Sequence, residues 1–148
     1  MKTCTFFGHR NAYQTDPAAL ENAICEAIEA HGVTCFWCGG YGAFDSAAAQ
    51  AVRRLKKRYP HIELVLVYAY LPEGKDERAE TYDATLFPDG LETAPRRFAI
   101  IRRNEWMARN CNMVIGYISH DWGCAHHAYQ LAEKHGKLCV NLANSFHR

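Results

Sequence analysis

Four times in this chain a short apolar run ends in a turn of small and polar residues, and each turn opens a helical pattern. In the clearest case residues 113–118 are mostly apolar, residues 119–123 read Ser-His-Asp-Trp-Gly, and residues 125–135 keep helical spacing. Strands that alternate with helices are typical of a parallel sheet with right-handed crossovers. This alternation constrains the chain to an α/β fold more strongly than any other feature of its sequence.

The pattern predicts the order and bounds of the elements. Strands are expected at residues 3–7, 33–38, 62–69, 113–118 and 138–142. Helices are expected at residues 17–31, 45–59, 95–110 and 125–135. The commonest strand order for such a chain is 3-2-1-4-5. We therefore expect a Rossmann-like three-layer sandwich, in which helices cover both faces of a mostly parallel five-stranded sheet.

Length predicts a single domain over residues 1–148. A chain of 148 residues buries roughly 70% of its unfolded surface, which is enough for a core without disulfides or a structural metal. Residues 70–95 are acidic and weakly patterned, so they predict a long loop or insert that is functional or mobile. Residues 143–148 are expected to form a tail.

Charge and cysteine content limit the partners. The formal net charge is +1, so there is no strong signature of nucleic-acid or anionic-membrane binding. No apolar run approaches the ~20 residues of a membrane span, and the N-terminus lacks the pattern of a signal peptide. The seven cysteines are an odd number and are scattered over strands and turns. We expect a cytoplasmic protein with reduced thiols and no membrane partner.

The predicted topology also locates a ligand site. Open parallel sheets bind ligands at the carboxyl ends of their strands, where the strand order reverses. This point falls between the first and fourth predicted strands, so residues 8–10 and 119–123 should face each other across a crevice, with residues 39–42 beside them. Backbone amides at the N-terminus of the following helix favour anions. The sequence therefore predicts a site for a small phosphorylated molecule.

The glycine loop before the second helix has two interpretations. Gly39, Gly40 and Gly42 allow backbone amides to approach an anion and form a nest for it. Alternatively, the glycines serve a tight turn that requires positive φ. The loop matches neither the dinucleotide-binding pattern nor a Walker loop.

Basic residues are concentrated in the third predicted helix. Arg96 and Arg97 lie in its first turn, where the helix dipole disfavours cations, and Arg102 and Arg103 follow. They either face an anionic ligand or pair with the acidic segment before the helix. We favour pairing for Arg96 and Arg102 and ligand contact for Arg97 and Arg103.

Two further patterns resemble known kinds of site. The C-x-x-C at residues 35–38 lies inside a predicted strand, so ordinary buried thiols are favoured over a redox pair. A second set resembles metal ligands: His120, Asp121, Cys124, His126 and His127. Adjacent helical residues point about 100° apart, so a polar ligand wall is favoured, and neither a metal nor another cofactor is expected.

Several motifs together resemble a known family. CTFFGHR, CGGYGAFD and the stretch RRNEWMARNCNMVIGYISHDWGCAHHAYQLAEKHGK resemble the DprA/LOG-like (SLOG) Rossmann superfamily, and in particular its small YpsA-like bacterial and phage members. The resemblance covers nearly the whole chain and implies a nucleotide or nucleotide-derived ligand at the strand ends. By position it implies these ligand-binding residues: Gly8, His9 and Arg10; Gly39, Gly40, Gly42 and Asp45; Arg103, Asn104 and Met107; and Ser119, His120, Trp122 and Gly123.

The chain departs from the family at one motif. The LOG branch of nucleoside-monophosphate phosphoribohydrolases carries Pro-Gly-Gly-x-Gly-Thr-x-x-Glu at the last loop, and its acid is needed to cleave the glycosidic bond. Here the loop reads Ser-His-Asp-Trp-Gly-Cys-Ala-His, and His127 falls near the position of the Glu. A histidine is not a simple replacement for that carboxylate. Asn104 also replaces the second residue of that branch's Arg-Lys pair, so no catalytic residue is assigned.

These observations predict a domain that binds a nucleotide or nucleotide-derived molecule as a sensor, carrier or sponge. Amides of the 39–42 loop and of the N-terminus of the fourth helix, next to Cys124, would hold phosphate. Arg10 and Arg103 would add charge, and replacing Arg103 is expected to weaken binding while leaving the melting temperature nearly unchanged. Trp122 or Tyr41 would stack on a base.

Two other functions stay open on sequence alone. One is hydrolysis of a nucleotide N-glycosidic or phosphoester bond that uses Asp45, Asp121 or a histidine. The other is an interaction scaffold whose pocket stays empty. The resemblance also implies a homodimer or higher homo-oligomer, because members of the family often pair through helices.

Overall fold

A computed structural model describes residues 1–143 of the chain. Its strands are β1 (Lys2–Gly8), β2 (Val33–Cys38), β3 (Glu63–Val67), β4 (Ala84–Leu86), β5 (Met113–Tyr117) and β6 (Leu138–Asn141). Its α-helices are α1 (Pro17–His31), α2 (Gly42–Leu55), α3 (Ala99–Asn110) and α4 (Cys124–Lys134). The six strands of this part of the chain form one sheet in the order β4-β3-β2-β1-β5-β6, and every neighbouring pair is parallel.

The predicted α/β architecture is confirmed, with one strand added. The five predicted strands occur in the predicted order, and the sixth, β4, lies within residues 70–95, where a loop was expected. Asp83 fixes this short strand, because its carboxylate accepts a hydrogen bond from Leu64 N–H at 2.8 Å and lies 2.7 Å from Lys56 Nζ. These bonds join residues far apart in sequence, so local patterning does not reveal them.

Strand residues alternate between two hydrophobic cores, one on each face of the sheet. Phe6 and Phe36 face the core that includes the apolar stripes of α1 and α2. Phe7 and Cys35 face the opposite core, together with Met107 of α3 and the inner face of α4. This alternation follows from the period of two in a strand. Full burial of each large apolar side chain stabilises such a layer by roughly 1.5–3 kcal/mol.

Helix ends follow the sequence signals with two corrections. Asp16 caps α1 by accepting from Ala18 N–H at 3.1 Å, and Gly32 ends it at φ +71°. The helix α2 begins at Gly42, so Asp45 lies inside its first turns and does not precede it. Pro95 opens a 3-10 helix at Arg96–Phe98, and α3 starts only at Ala99.

The expected tail does not begin at Ala143. This residue is buried, and its N–H donates to Asn141 Oδ1 at 3.1 Å, so it is part of the folded domain. Residues 144–148 lie outside the described part of the chain. Within residues 1–143, none of the helices combines the length and the apolar character needed to cross a membrane.

Candidate functional site

A cleft of about 450 Å³ opens at the carboxyl ends of β1 and β5, where the strand order reverses. The connections that follow these two strands leave towards opposite faces of the sheet, which opens a crevice between them. Of the residues predicted from sequence, the following line it: Gly8, His9, Arg10, Tyr41, Asp45, Arg103, Asn104, Met107, His120, Trp122, Gly123 and Cys124. Others predicted for the site do not line it: Gly39, Gly40, Gly42, Arg97 and Ser119.

His9 connects the two walls of the cleft. It is buried, and its Nε2 accepts a hydrogen bond from Ser119 N–H at 2.9 Å. Burial, together with nearby His120 and His126, lowers the pKa of His9 to about 4. His9 is therefore neutral at pH 7 and holds the 119–123 turn against the end of β1.

An aromatic stack extends from His9 to the surface. The ring centroids of His9 and His120 lie 3.4 Å apart, and those of His120 and Trp122 lie 3.8 Å apart, with interplanar angles of 15° and 18°. Trp122 is 67% exposed, so its outer face is open to a planar ligand. The Nδ1 atom of His120 is buried and has no hydrogen-bond partner among the described residues.

The N-terminus of α4 forms the floor beside this stack. Gly123, at φ +97°, precedes the helix, and no side chain caps it. Gly123, Cys124 and Ala125 line the cleft. First-turn N–H groups of an α-helix have no intrahelical partner, and together with the helix dipole they attract anions.

The glycine loop serves an internal carboxylate. Tyr41 N–H donates to Asp45 Oδ2 at 3.3 Å, and hydrogen bonds from the backbone of Gly39 and Gly40 also lower the pKa of this carboxyl. The amide of Tyr41, one of those expected to hold a ligand's phosphate, is thus engaged by Asp45 within the protein. Gly40 and Gly42 have φ values of +82° and +89°, as the tight-turn interpretation requires.

Burial dominates the electrostatics of Asp45. It raises the pKa of this carboxyl to about 6, although Arg103 and the loop amides oppose the shift. Asp45 lines the cleft. A carboxyl with such a pKa exchanges its proton near neutral pH.

Arg103 has a structural role that sequence reasoning missed. Its side chain is only 2% exposed, and its Nη1 donates to Gly39 O at 3.0 Å and Val67 O at 3.1 Å. A Cβ on Gly39 would lie 2.7 Å from Arg103 Cζ, so only glycine allows this approach. The guanidinium thus ties α3 to the ends of β2 and β3. Its removal should affect stability as well as binding.

The other arginines of this region are not paired as expected. The acidic segment pairs elsewhere: Asp76 with Arg78 at 3.0 Å, Glu80 with Lys75 at 3.4 Å, and Asp83 with Lys56 at 2.7 Å. Among the described residues, no ion pair includes Arg96 or Arg102, so the pairing predicted for them is wrong. Arg97 lies over the Phe98 ring at 4.9 Å and not in the cleft, contrary to expectation.

The histidine- and cysteine-rich patterns do not converge. His127 Nε2 lies 3.0 Å from Glu105 Oε2, on the surface of α4. In the part of the chain that the structure describes, no group of three His, Cys, Asp or Glu side chains is placed to hold a metal ion. Cys35 and Cys38 are buried, and burial raises the pKa of the Cys35 thiol to about 11.

Five cleft residues were not predicted as site residues from the sequence: Phe6, Phe7, Asn11, Ile100 and Ala125. Asn11 follows Arg10 directly, so the end of the first strand could have indicated it. Ile100 and Ala125 are apolar helix residues with no local signal, and only the packing of α3 and α4 brings them to the cleft.

The parallel sheet with helices on both faces and a cleft at its switch point defines a Rossmann-like α/β domain. More specifically, the chain shares its fold with DNA processing protein A (DprA). DNA processing protein A (DprA) from Streptococcus pneumoniae superposes with a TM-score of 0.71 at 16% identity over 95% of this chain. This chain spans only half (50%) of that protein.

Two further solved structures share the fold. The molybdenum cofactor carrier protein from Chlamydomonas reinhardtii gives a TM-score of 0.57 at 15% identity, over 95% of this chain and 76% of its own. The protein TM1055 gives 0.56 at 16% identity, over 94% of this chain and 72% of its own. No family model and no curated protein matches the sequence. At these identities the likeness establishes the fold.

We expect Arg103→Met to lower the free energy of unfolding by about 3 kcal/mol, because it leaves Asp45 and two main-chain carbonyls without their buried partner. Arg102→Met is the matched control, because Arg102 is exposed on the same helix, and it should change stability by less than about 0.5 kcal/mol. Urea denaturation measures both. Equal stabilities of the two variants would contradict the structural role of Arg103.

Asp45 and His9 should give opposite pH dependences of stability. Between pH 3.8 and 6 folded Asp45 keeps a proton that the unfolded chain has lost, so its contribution falls as pH rises. Between pH 4 and 6.5 unfolded His9 is protonated and folded His9 is neutral, so its contribution rises with pH. From pH 4 to 6 these two contributions nearly cancel in the wild type, so Asp45→Asn should make stability rise with pH and His9→Gln should make it fall. Denaturant titrations across this range measure both slopes, and unchanged slopes would contradict the assigned shifts.

Proposed function

We propose that this domain binds a nucleotide or nucleotide-derived small molecule in the switch-point cleft, as a cytoplasmic sensor, carrier or sponge. One observation carries the proposal: an uncapped helix N-terminus, a cationic side chain and an open aromatic face share one cleft of about 450 Å³. These groups would bind the phosphate and the base of a nucleotide. The volume of the cleft lies within the range of small-ligand pockets.

The phosphate would bind between α4 and Arg10. Unlike the amides of the 39–42 loop, those in the first turn of α4 have no capping side chain. Arg10 lines the cleft, and within residues 1–143 no ion pair engages it. A guanidinium in this position can grip phosphate oxygens through two hydrogen bonds.

The base would stack on Trp122. Its indole is already held parallel to His120, so little side-chain freedom is lost when a planar ring adds to the stack. Ile100 and Met107 supply apolar lining on the α3 side. This combination of aromatic and apolar lining with a few polar groups suits a nucleotide better than a free anion.

The similar structures support a ligand-binding interpretation. One of them is, by its name, a carrier of the molybdenum cofactor, and it shows that this fold can carry a small molecule. The YpsA-like affiliation, the cytoplasmic location and a homo-oligomeric state belong to the same proposal and rest on the sequence alone.

Mass spectrometry of small molecules released on denaturing the purified protein tests the proposal. We expect a phosphorylated nucleotide species in near-stoichiometric amount. Trp122→Ala and Arg10→Gln should each reduce its occupancy or affinity by about tenfold, because each removes an interaction of roughly 1–2 kcal/mol.

Arg109→Gln is the matched control, because it removes an exposed charge outside the cleft. The control should retain the wild-type ligand content. An empty wild-type protein whose melting temperature no nucleotide raises would reject the proposal and favour the scaffold interpretation.

A second function, hydrolysis of the bound nucleotide, is favoured by the pKa of Asp45. A carboxyl with a pKa of about 6 in a cleft is suited to donate and accept a proton. Glycosidic-bond chemistry normally uses two carboxyl groups, and Asp45 is the one carboxylate lining the cleft among the described residues. Binding without turnover is therefore the primary proposal.

Product analysis after incubation with nucleoside phosphates separates these two functions. A binder returns the nucleotide intact from both wild type and Asp45→Asn. A hydrolase releases base or phosphate in the wild type, and Asp45→Asn should slow the release by at least about a hundredfold, the usual size of a general acid–base contribution.

A further inference from the structure

Two tyrosines meet at the rim of the cleft. Tyr41 lines the cleft and is 36% exposed, and its hydroxyl lies 3.0 Å from the hydroxyl of Tyr70. We call these two residues the tyrosine pair. Of the two hydroxyl protons, the bond between the tyrosines uses one, so the other can be donated to a ligand.

Arginines surround the tyrosine pair. The Arg96 guanidinium lies 4.0 Å from the Tyr70 ring centroid, and Arg78 and Arg103 lie 5.5 and 5.7 Å from the Tyr41 ring centroid. Asp76 neutralises Arg78, and Arg103 is buried against main-chain carbonyls. Arg96 is exposed, and no ion pair among the described residues includes it. The rim therefore carries an uncompensated positive charge.

Among the described residues, no ion pair accounts for the position of Arg96. It lies in the short 3-10 helix that leads into α3, where the dipole of the helix disfavours a cation. The acidic segment before it pairs with Arg78, Lys75 and Lys56 instead. Natural sequences depart from local rules mainly at functional sites.

The surroundings of the Tyr70 hydroxyl favour negative charge. The pKa of the Tyr70 hydroxyl is lowered by its hydrogen bond with Tyr41 and by the positive charges of Arg96 and Arg78. An environment that favours a phenolate also favours a phosphate oxygen, since both gain from hydrogen-bond donors and nearby guanidinium groups.

We propose that the tyrosine pair and Arg96 form a second anion subsite, and that the ligand is a nucleotide with at least two phosphate groups. This inference rests on the proposed function of the cleft. One phosphate would lie at the α4 N-terminus beside Arg10. The next would extend to the rim, where a tyrosine hydroxyl and the Arg96 guanidinium donate to it.

Isothermal titration calorimetry with nucleoside 5′-monophosphates and 5′-diphosphates of the four common bases tests the subsite. For the base that binds, we expect the diphosphate to bind at least about tenfold more tightly than the monophosphate. The reason is that its second phosphate gains hydrogen bonds from a tyrosine hydroxyl and from the charged guanidinium of Arg96. Arg96→Gln and Tyr70→Phe should each remove most of this gain while leaving monophosphate affinity unchanged.

Arg97→Gln is the matched control. It removes the same charge one residue away, from a side chain that lies over Phe98, so it should keep the gain. A diphosphate that binds no better than the monophosphate, or equal losses in the Arg96 and Arg97 variants, would overturn the subsite while the proposed function stands. Absence of binding by every mono- and diphosphate would overturn both.

Discussion

The buried guanidinium of Arg103 is the interaction on which the arrangement of the cleft depends. It comes from α3, on one face of the sheet, and donates to carbonyls at the ends of β2 and β3. It also partly compensates the charge of Asp45, which in turn orders the glycine loop through the amide of Tyr41. A buried cation is costly unless it is paired and hydrogen-bonded, so these partners must be present together.

This internal network divides the polar groups of the cleft into two kinds. Arg103, Asp45 and the loop amides satisfy one another and shape the wall. Arg10 and the N-terminus of α4 have no such partners among the described residues, and they are the groups that we propose meet an incoming anion. A cationic residue near a parallel-sheet switch point is therefore not by itself a ligand contact, because burial and hydrogen bonding decide which role it has.

Aromatic side chains connect the two walls. Because His9 accepts a hydrogen bond from the 119–123 turn and has a lowered pKa, it contributes shape without charge at neutral pH. The stack of His9, His120 and Trp122 then presents a flat, partly exposed surface beside the groups that we propose bind an anion. The cleft thus combines a stacking surface with a separate cationic region, and the proposed nucleotide ligand would use both.

The sequence by itself determined the α/β class, the order of the five longer strands and the position of the cleft between residues 8–10 and 119–123. These follow from short-range periodicity and from general rules for parallel crossovers. Only the tertiary structure decided that Arg103 is buried, that Asp45 accepts from the glycine loop, that β4 joins the sheet and that Arg96 meets Tyr70. Each of these depends on contacts between residues distant in sequence. The free-energy cost of an unpaired charge depends on its burial, and burial arises only when the chain is packed.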